Sequence, residues 1–363
     1  QGQSDVDGIF PGLDEDNDGI PDTNKNFDAQ PDYLEPFLMY ESDPQIYDYG
    51  LDQNHNDYID ARENDIGPDY PYDEDLSGLH FYGTLKLAPG LGMTLGSLDA
   101  EQNAGAAPSK SMYGRVDYKQ RVPTVGRFFG QFTLEKVEDG IADDLSIYSD
   151  RVLTTAELFE LDFAGLQRNI QIAPFLEEPR ADPLLFKNSL WWRFFVDAQW
   201  NNFPEFNMRN KVKYEINSQQ EGELFDGTFQ EGDRHTRWTM VHTIDYNWRF
   251  QKKWSLFSAY KFRYRKEWTK SLESATANER HSIPIVRLDY HLTERTKLQL
   301  GLQGVSILPY RVNDLERTER DFEQRDSVLM MTNSSKYFGY IVSTRLGFSK
   351  RVKEFDDPLS GLI

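Results

Sequence analysis

From about residue 79 onward, apolar and polar residues alternate with a period of two. Over 236–250, Trp238, Met240, His242, Ile244, Tyr246, Trp248 and Phe250 share one face, and Arg237, Thr239, Val241, Thr243, Asp245, Asn247 and Arg249 share the other. Residues 253–268 repeat the pattern, with Trp254, Leu256, Tyr260, Phe262, Tyr264 and Trp268 opposite Lys261, Arg263, Arg265 and Glu267. Residues 206–217 set Phe206, Met208, Val212, Tyr214 and Ile216 against Arg209, Lys211, Lys213 and Glu215. Alternation of this kind predicts strands. These runs hold 12 to 16 residues, well beyond the roughly 5–6 of a mean strand.

Thirteen strands are predicted, at 79–87, 91–98, 110–119, 125–136, 156–164, 169–176, 188–200, 206–217, 236–250, 253–268, 282–292, 296–308 and 336–348. Short turns near 88–90, 120–124, 165–168, 201–205, 251–252 and 293–295 alternate with long polar links near 99–109, 138–155, 177–187, 218–235, 269–281 and 309–335. The apolar faces carry aromatics at both ends: Trp238 and Trp268 flank a long link, Trp248 and Trp254 a short one. A soluble sandwich also alternates, but its strands are shorter and lack paired aromatic bands. The pattern predicts an all-β fold, an antiparallel transmembrane β-barrel of about 14 strands or part of a larger barrel, with an acidic calcium-binding region before it. The run Tyr340 to Phe348 resembles the C-terminal assembly signal of bacterial outer-membrane proteins, an alternating stretch ending in an aromatic, although 15 residues follow Phe348. The resemblance covers roughly residues 79–350 and implies an outer-membrane location with outer-membrane lipid as a partner. Three parts are expected: an extracellular acidic region at 1–78, a barrel at 79–350 and a periplasmic tail at 351–363.

Composition sharpens this division. The mean hydropathy is -0.68, and no 18 consecutive residues are apolar, so a membrane-spanning helix is excluded while alternating strands are not. The chain has no cysteine, which excludes a disulfide scaffold and a thiolate metal site. Of the net charge of -20, all falls in residues 1–75, with 22 acidic and two basic residues; the remainder has 38 of each sign. No basic stripe points to nucleic acid. The chain begins at Gln1 without a signal peptide, and its odd strand count would put residues 1–78 outside the cell. Both fit a missed strand within 31–50 or a C-terminal part of a longer chain.

Two acidic segments have the spacing of calcium loops. Asp52, Asn54, Asn56, Tyr58, Asp60 and Glu63 occupy positions 1, 3, 5, 7, 9 and 12 of a 12-residue loop. Oxygen ligands at that spacing, with a closing carboxylate at position 12, suit a hard cation. The segment resembles an EF-hand or dockerin loop, with Asp57 where that loop has glycine. Asp14, Asp16, Asp18 and Asp22 follow the pattern of a thrombospondin type-3 repeat, which they resemble; Lys25 stands where an EF-hand closes. The resemblance implies bound calcium. The competing reading is a disordered acidic linker, but interleaved aromatics such as Tyr33, Phe37, Tyr40, Tyr47 and Tyr49 point to a compact lobe.

The face opposite the aromatics carries Arg193, Asp197, Arg209, Lys211, Lys213, Glu215, Arg237, Asp245, Arg249, Lys261, Arg263, Arg265, Arg287, Asp289 and His291. Charges on such a face either hold water and select solutes, anions and acidic sugars among them, or pair across strands and stiffen the wall. The first reading resembles the charged lumen of alginate-export and oligosaccharide porins. It predicts a porin-like channel for small, anionic or saccharide solutes. The alternative is a surface anchor whose calcium region and long loops, such as Pro309–Thr332, bind a glycan or a protein partner. No GxSxG occurs, the six histidines face no evident nucleophile and no glycine loop cradles a phosphate, so no catalytic activity or organic cofactor is expected.

Overall fold

The computed structural model describes residues 32–52, 55, 59, 76–103, 108–123, 125–141, 146–148, 177–179, 187–224, 227–272, 274–309, 322–337 and 340–355. Sixteen strands fall within them: β1 Leu76–Ala88, β2 Leu91–Gln102, β3 Pro108–Val122, β4 Gly126–Asp139, β5 Ser146–Tyr148, β6 Glu177–Pro179, β7 Lys187–Phe203, β8 Phe206–Gln219, β9 Gly222–Glu223, β10 Phe229–Gln230, β11 Asp233–Gln251, β12 Trp254–Thr269, β13 Ser274–His291, β14 Thr296–Pro309, β15 Phe322–Tyr337 and β16 Tyr340–Phe355. Twelve of them form one antiparallel sheet in the order β1-β2-β3-β4-β7-β8-β11-β12-β13-β14-β15-β16, while β5 pairs with β6 and β9 with β10.

Every neighbour in the large sheet is the next long strand in the sequence, so the sheet is a meander. Antiparallel neighbours need only short connections, and the links β1–β2, β3–β4, β7–β8, β11–β12, β13–β14 and β15–β16 are all brief. They alternate with longer links at 140–186, 220–232 and 310–321, but the expected long links 99–109 and 269–281 shrink to 103–107 and 270–273, because β2, β3 and β13 extend into them.

The register commits each residue to one of two faces. Directly opposed residues point the same way, and the pairs Arg193↔Glu215, Arg237↔Glu215, Arg237↔Glu267 and Arg265↔Glu279 carry one polar face across five strands. The pairs Phe132↔Phe194, Leu134↔Trp192, Leu288↔Leu300, Leu300↔Leu329 and Leu329↔Phe348 belong to the opposite, apolar face. Burial is inverted relative to an ordinary soluble sheet. Lys261, Arg263, Glu135, Glu215 and Glu267 are buried, while Phe81, Trp192, Phe194, Trp248, Leu329 and Phe348 are exposed.

The N-terminal segment covers part of the polar face. Residues 32–52 make 3-10 turns at Asp32–Leu34 and Gln45–Tyr47 and lie along the sheet. Met39 packs with Ala259, Ile283, Ile285 and Val305 in the largest buried apolar cluster, flanked by Phe37, Tyr40, Phe257 and Ile307. Phe37 sits over Gly301, where a Cβ would come within 2.8 Å of its ring. Glycine at 301 thus leaves the ring its seat. The sequence set residues 1–78 apart from the sheet; of their described part, residues 76–78 belong to β1, and Phe37 to Asp52 with His55 contact the polar face.

Several expected strands are corrected. Strand β4 pairs directly with β7, so no strand stands between them in the sheet; the predicted strands 156–164 and 169–176 lie outside the described residues. The predicted strand 336–348 is divided: β15 ends at Tyr337 and β16 starts at Tyr340, the two residues facing each other in register. The supposed link 309–335 contains β15. Its residues Glu323, Arg325, Asp326, Asn333, Ser334 and Ser335 mask the alternation of Gln324 and Asp326, buried on the polar face, against Leu329 and Met331, exposed on the other. The final strand runs on to Phe355, past the expected end of the sheet at 350.

Ile283 is fully buried beneath Met39, whereas Val286 is exposed on the apolar face. Ile283→Ala is expected to cost about 2–4 kcal/mol, through lost transfer energy and the residual cavity. Val286→Ala is expected to cost less than about 1 kcal/mol in detergent, which replaces the lost contact. Urea unfolding of both variants in the same detergent checks this.

Candidate functional site

The site is the seam between the N-terminal segment and the polar face. At its centre lies Lys261 of β12, 0% exposed. Its Nζ donates to the carbonyl oxygens of Met39 at 2.8 Å, Tyr40 at 3.1 Å and Ser42 at 2.8 Å, and lies 2.6 Å from Oδ1 of Asp43. The turn at 38–43 presents these oxygens because its carbonyls point inward as the chain reverses: the Ser42 N–H bonds back to the Leu38 carbonyl. An ammonium group has three protons and no acceptor, so a cluster of carbonyls with one carboxylate satisfies it completely. Burial alone would raise the Asp43 carboxyl, but the charges of Lys261, Lys211 and Arg263 hold it below its ordinary value.

Further anchors lie on both sides. The Phe37 N–H donates to Oε1 of Gln303 at 2.6 Å, and the Tyr40 hydroxyl donates to Asp245 at 3.0 Å. Tyr47 is buried with Arg263 6.0 Å from its ring centroid. Tyr49 stacks on Phe195 at 4.6 Å and bonds Thr133 at 3.1 Å. Burial pushes the hydroxyls of Tyr40, Tyr47 and Tyr49 above the usual phenol range. At the far end, Nε2 of His55 is 3.1 Å from Glu135, which also pairs with Arg193. Burial would lower the His55 ring, but the hydrogen bond to Glu135 and the charges of Glu135, Asp52 and Asp139 raise it above its ordinary 6.5. The segment therefore crosses the sheet from β14 to β4. A cavity of about 350 Å³ remains between residues 49–52 and His55 on one side and strands β1–β4 and β7 on the other.

The fifteen expected face residues share the polar face, and most are paired. Arg209 grips Asp197 through Nε at 3.0 Å and Nη2 at 2.9 Å. Arg237 bridges Glu215 at 3.4 Å and Glu267 at 2.8 Å. Arg265 joins Glu267 at 2.9 Å and Glu279 at 3.4 Å. Lys213 meets Glu215 at 3.2 Å, and Arg287 and Lys297 meet Asp289 at 3.3 and 3.5 Å. Lys211 lies opposite Asp197 in register, while Arg249 and His291 sit at exposed strand ends. The Arg and Lys excess on β8 and β12 is thus matched by carboxylates on the same strand, on a neighbouring strand or, for Lys261, on the N-terminal segment, while Arg263 meets His281 at 3.0 Å.

Of the ten calcium-ligand candidates, only Asp52 is among the described residues; Asp14, Asp16, Asp18, Asp22, Asn54, Asn56, Tyr58, Asp60 and Glu63 lie outside them. The Asp52 carboxylate is buried, with Oδ2 3.8 Å from Arg193, a cation that competes with a metal for the same negative charge. Among the described residues no cluster of three His, Asp or Glu is placed to hold a metal. The fit to calcium rests on sequence spacing.

Asp43, His55, Glu135, His80 and Tyr113 were not singled out from the sequence as part of this surface. Glu135 had a signal: it alternates with Leu134 in the β4 pattern, on the same face as Thr133 and Val137. Asp43 had none, because nothing in its neighbourhood points to a lysine 218 residues away.

No family model matches the chain, and no curated protein does. Among solved structures, the chain is similar to the ferric citrate transporter FecA in its unliganded form, with 10% identity and a TM-score of 0.27 over 79% of this chain and 54% of that one. It is also similar to the toluene transporter TodX of Pseudomonas putida, with 8% identity and a TM-score of 0.20 over 76% of this chain and 81% of that one. The chain thus spans about half the length of the ferric citrate transporter it matches.

Two expected outcomes follow from the seam. Lys261→Met leaves Asp43 buried without its cation and is expected to cost about 3–5 kcal/mol, with the double variant Lys261→Met/Asp43→Asn recovering part of it. Hydrogen exchange of residues 36–48 should quicken in the first and slow again in the second. Docking should also depend on pH at both ends. The raised His55 ring stabilises docking below its unfolded value near 6.5, and that contribution is lost as pH rises through the raised value. The depressed Asp43 carboxyl stabilises docking above its unfolded value near 3.8, and that contribution is lost as pH falls through the lowered value. Exchange protection at 39–52 measured across pH should therefore fall at both extremes.

Proposed function

We propose that the chain is an outer-membrane β-barrel, or part of one, serving as a porin-like channel for small solutes, with the N-terminal segment as an internal plug. The observation that carries this reading is the inverted polarity of the sheet: charged residues buried on one face, aromatic and aliphatic residues exposed on the other. Only a solvent of hydrocarbon makes that arrangement favourable, since exposed apolar area costs about 25 cal/mol per Å² in water. The strands of 12 to 19 residues exceed the roughly 9–11 that a tilted strand needs to cross a bilayer. The polar face then lines a lumen. Most of its charges are mutually paired, which supports saccharides over anions as the solute class. Calcium held by the acidic residues at 14–22 and 52–63 would stiffen the chain on both sides of the plug.

A second reading is favoured by the plug itself. Residues 32–52 fill much of the polar face, as in a barrel that serves as a membrane anchor for a calcium-bound surface region with glycan or protein partners.

Two measurements decide. Brominated lipid should quench Trp192, Trp200, Trp238 and Trp248, which are exposed on the apolar face, and spare Trp191, 6% exposed on the polar one; equal quenching of all would remove the membrane assignment. In planar bilayers the full chain should conduct weakly at millimolar calcium, and Lys261→Met should raise the conductance severalfold. Inserted, folded protein that never conducts, in either form, leaves the anchor.

A further inference from the structure

The cavity beneath residues 49–52 and His55 differs chemically from the rest of the polar face. Its volume of about 350 Å³ falls at the small end of ligand pockets. Seven of its seventeen described lining residues carry a hydroxyl, and the fixed charges among them are balanced: Arg115 and Arg193 against Asp52 and Glu135. Both guanidiniums are engaged, Arg193 by Glu135 and Asp52 and Arg115 by Asp117 at 3.3 Å. An anion entering here would compete with those carboxylates for the same two guanidiniums.

The hydroxyls are arranged in couples. Thr84 and Thr94 are 3.1 Å apart across β1 and β2, and Tyr49 and Thr133 are 3.1 Å apart between the segment and β4. Each hydroxyl has one proton and two lone pairs. A couple therefore spends one proton on its own bond and keeps one proton and several lone pairs for a ligand. His55 adds a donor or acceptor: its Nε2 is held by Glu135, while its buried Nδ1 has no hydrogen-bond partner among the described residues. An aromatic wall completes the site. The Tyr113 ring occupies the space that a side chain at Gly96 would take, a Cβ there lying 2.3 Å from the ring, and its hydroxyl meets Nε2 of His80 at 2.9 Å. Glycine opposite tyrosine in the β2–β3 register is what lets the ring lie there.

We propose that this cavity is a binding site for a small uncharged saccharide. Sugar hydroxyls both donate and accept, as the hydroxyl couples do, and a sugar's C–H faces pack on aromatic rings. The proposal rests on the channel reading for access of water to the polar face, and it names the solute class at one station of that path.

Saturation-transfer NMR on the full chain in detergent micelles tests it, with maltose as the uncharged probe and glucuronate as the charged one. Maltose should bind, and Thr94→Val, which keeps shape and loses the hydroxyl, should weaken it about fivefold, the worth of one hydrogen bond. Thr239→Val, on the polar face outside the cavity, should leave maltose affinity unchanged. Gly96→Ala, which forces the Tyr113 ring from its seat, gives an independent variant should Thr94→Val not fold. Absence of maltose binding to folded protein, preference for glucuronate, or maltose affinity indifferent to whichever cavity variants fold would each overturn the proposal. Maltose binding by a protein that never conducts keeps this site and removes the channel; conductance without maltose binding does the reverse.

Discussion

The rest of the molecule depends on one geometric constraint: a strand alternates its side chains, and an antiparallel register makes its neighbour alternate in step. Twelve strands linked in sequence order extend that two-way choice across the whole sheet. Once Arg237 faces Glu215 and Glu267, Trp238 must face the other way with Tyr214. A one-residue slip would place arginine among the aromatics and tryptophan among the carboxylates. The charge pairs on one face and the ring contacts on the other therefore fix the same register twice.

The polar face creates a second problem, which the N-terminal segment solves. A buried cation without partners is prohibitively costly. Lys261 sits in the interior of β12 with apolar Ile283 opposite it in register, so its partners come from a separate piece of chain. Three carbonyls and a carboxylate of residues 39–43 supply them. The same segment carries Met39 into the apolar patch of Ala259, Ile283, Ile285 and Val305. Packing and ion pairing hold it together, with Tyr49 and His55 extending the contact to β7 and β4.

Much of the sheet was legible in the sequence because alternation survives wherever aromatics mark the apolar face. The runs at 206–217, 236–250 and 253–268 match β8, β11 and β12 closely. Strand β15 was missed where serine, asparagine and charged residues occupy both faces, and the join between β15 and β16 was hidden because Phe338 and Tyr340 continue the period across it. The pairing of β4 with β7 is a long-range choice that local pattern does not encode. The polar-face residues were readable from period two alone. Their partners on the N-terminal segment were not, since hydrogen bonds such as Phe37 to Gln303 join residues 266 positions apart. The hydroxyl-lined cavity was equally hidden, being assembled from five strands and a loop.

That separation has a consequence for how the chain reaches this state. The segment at 37–43 precedes every described strand, yet its seat is built from β11 to β14, followed only by β15 and β16 among them. Closing so long a loop pays its entropy before any contact rewards it. The Lys261 seat therefore carries a larger loop-closure cost than any hairpin of the sheet, and its contacts are the ones most readily given up without unpairing a strand.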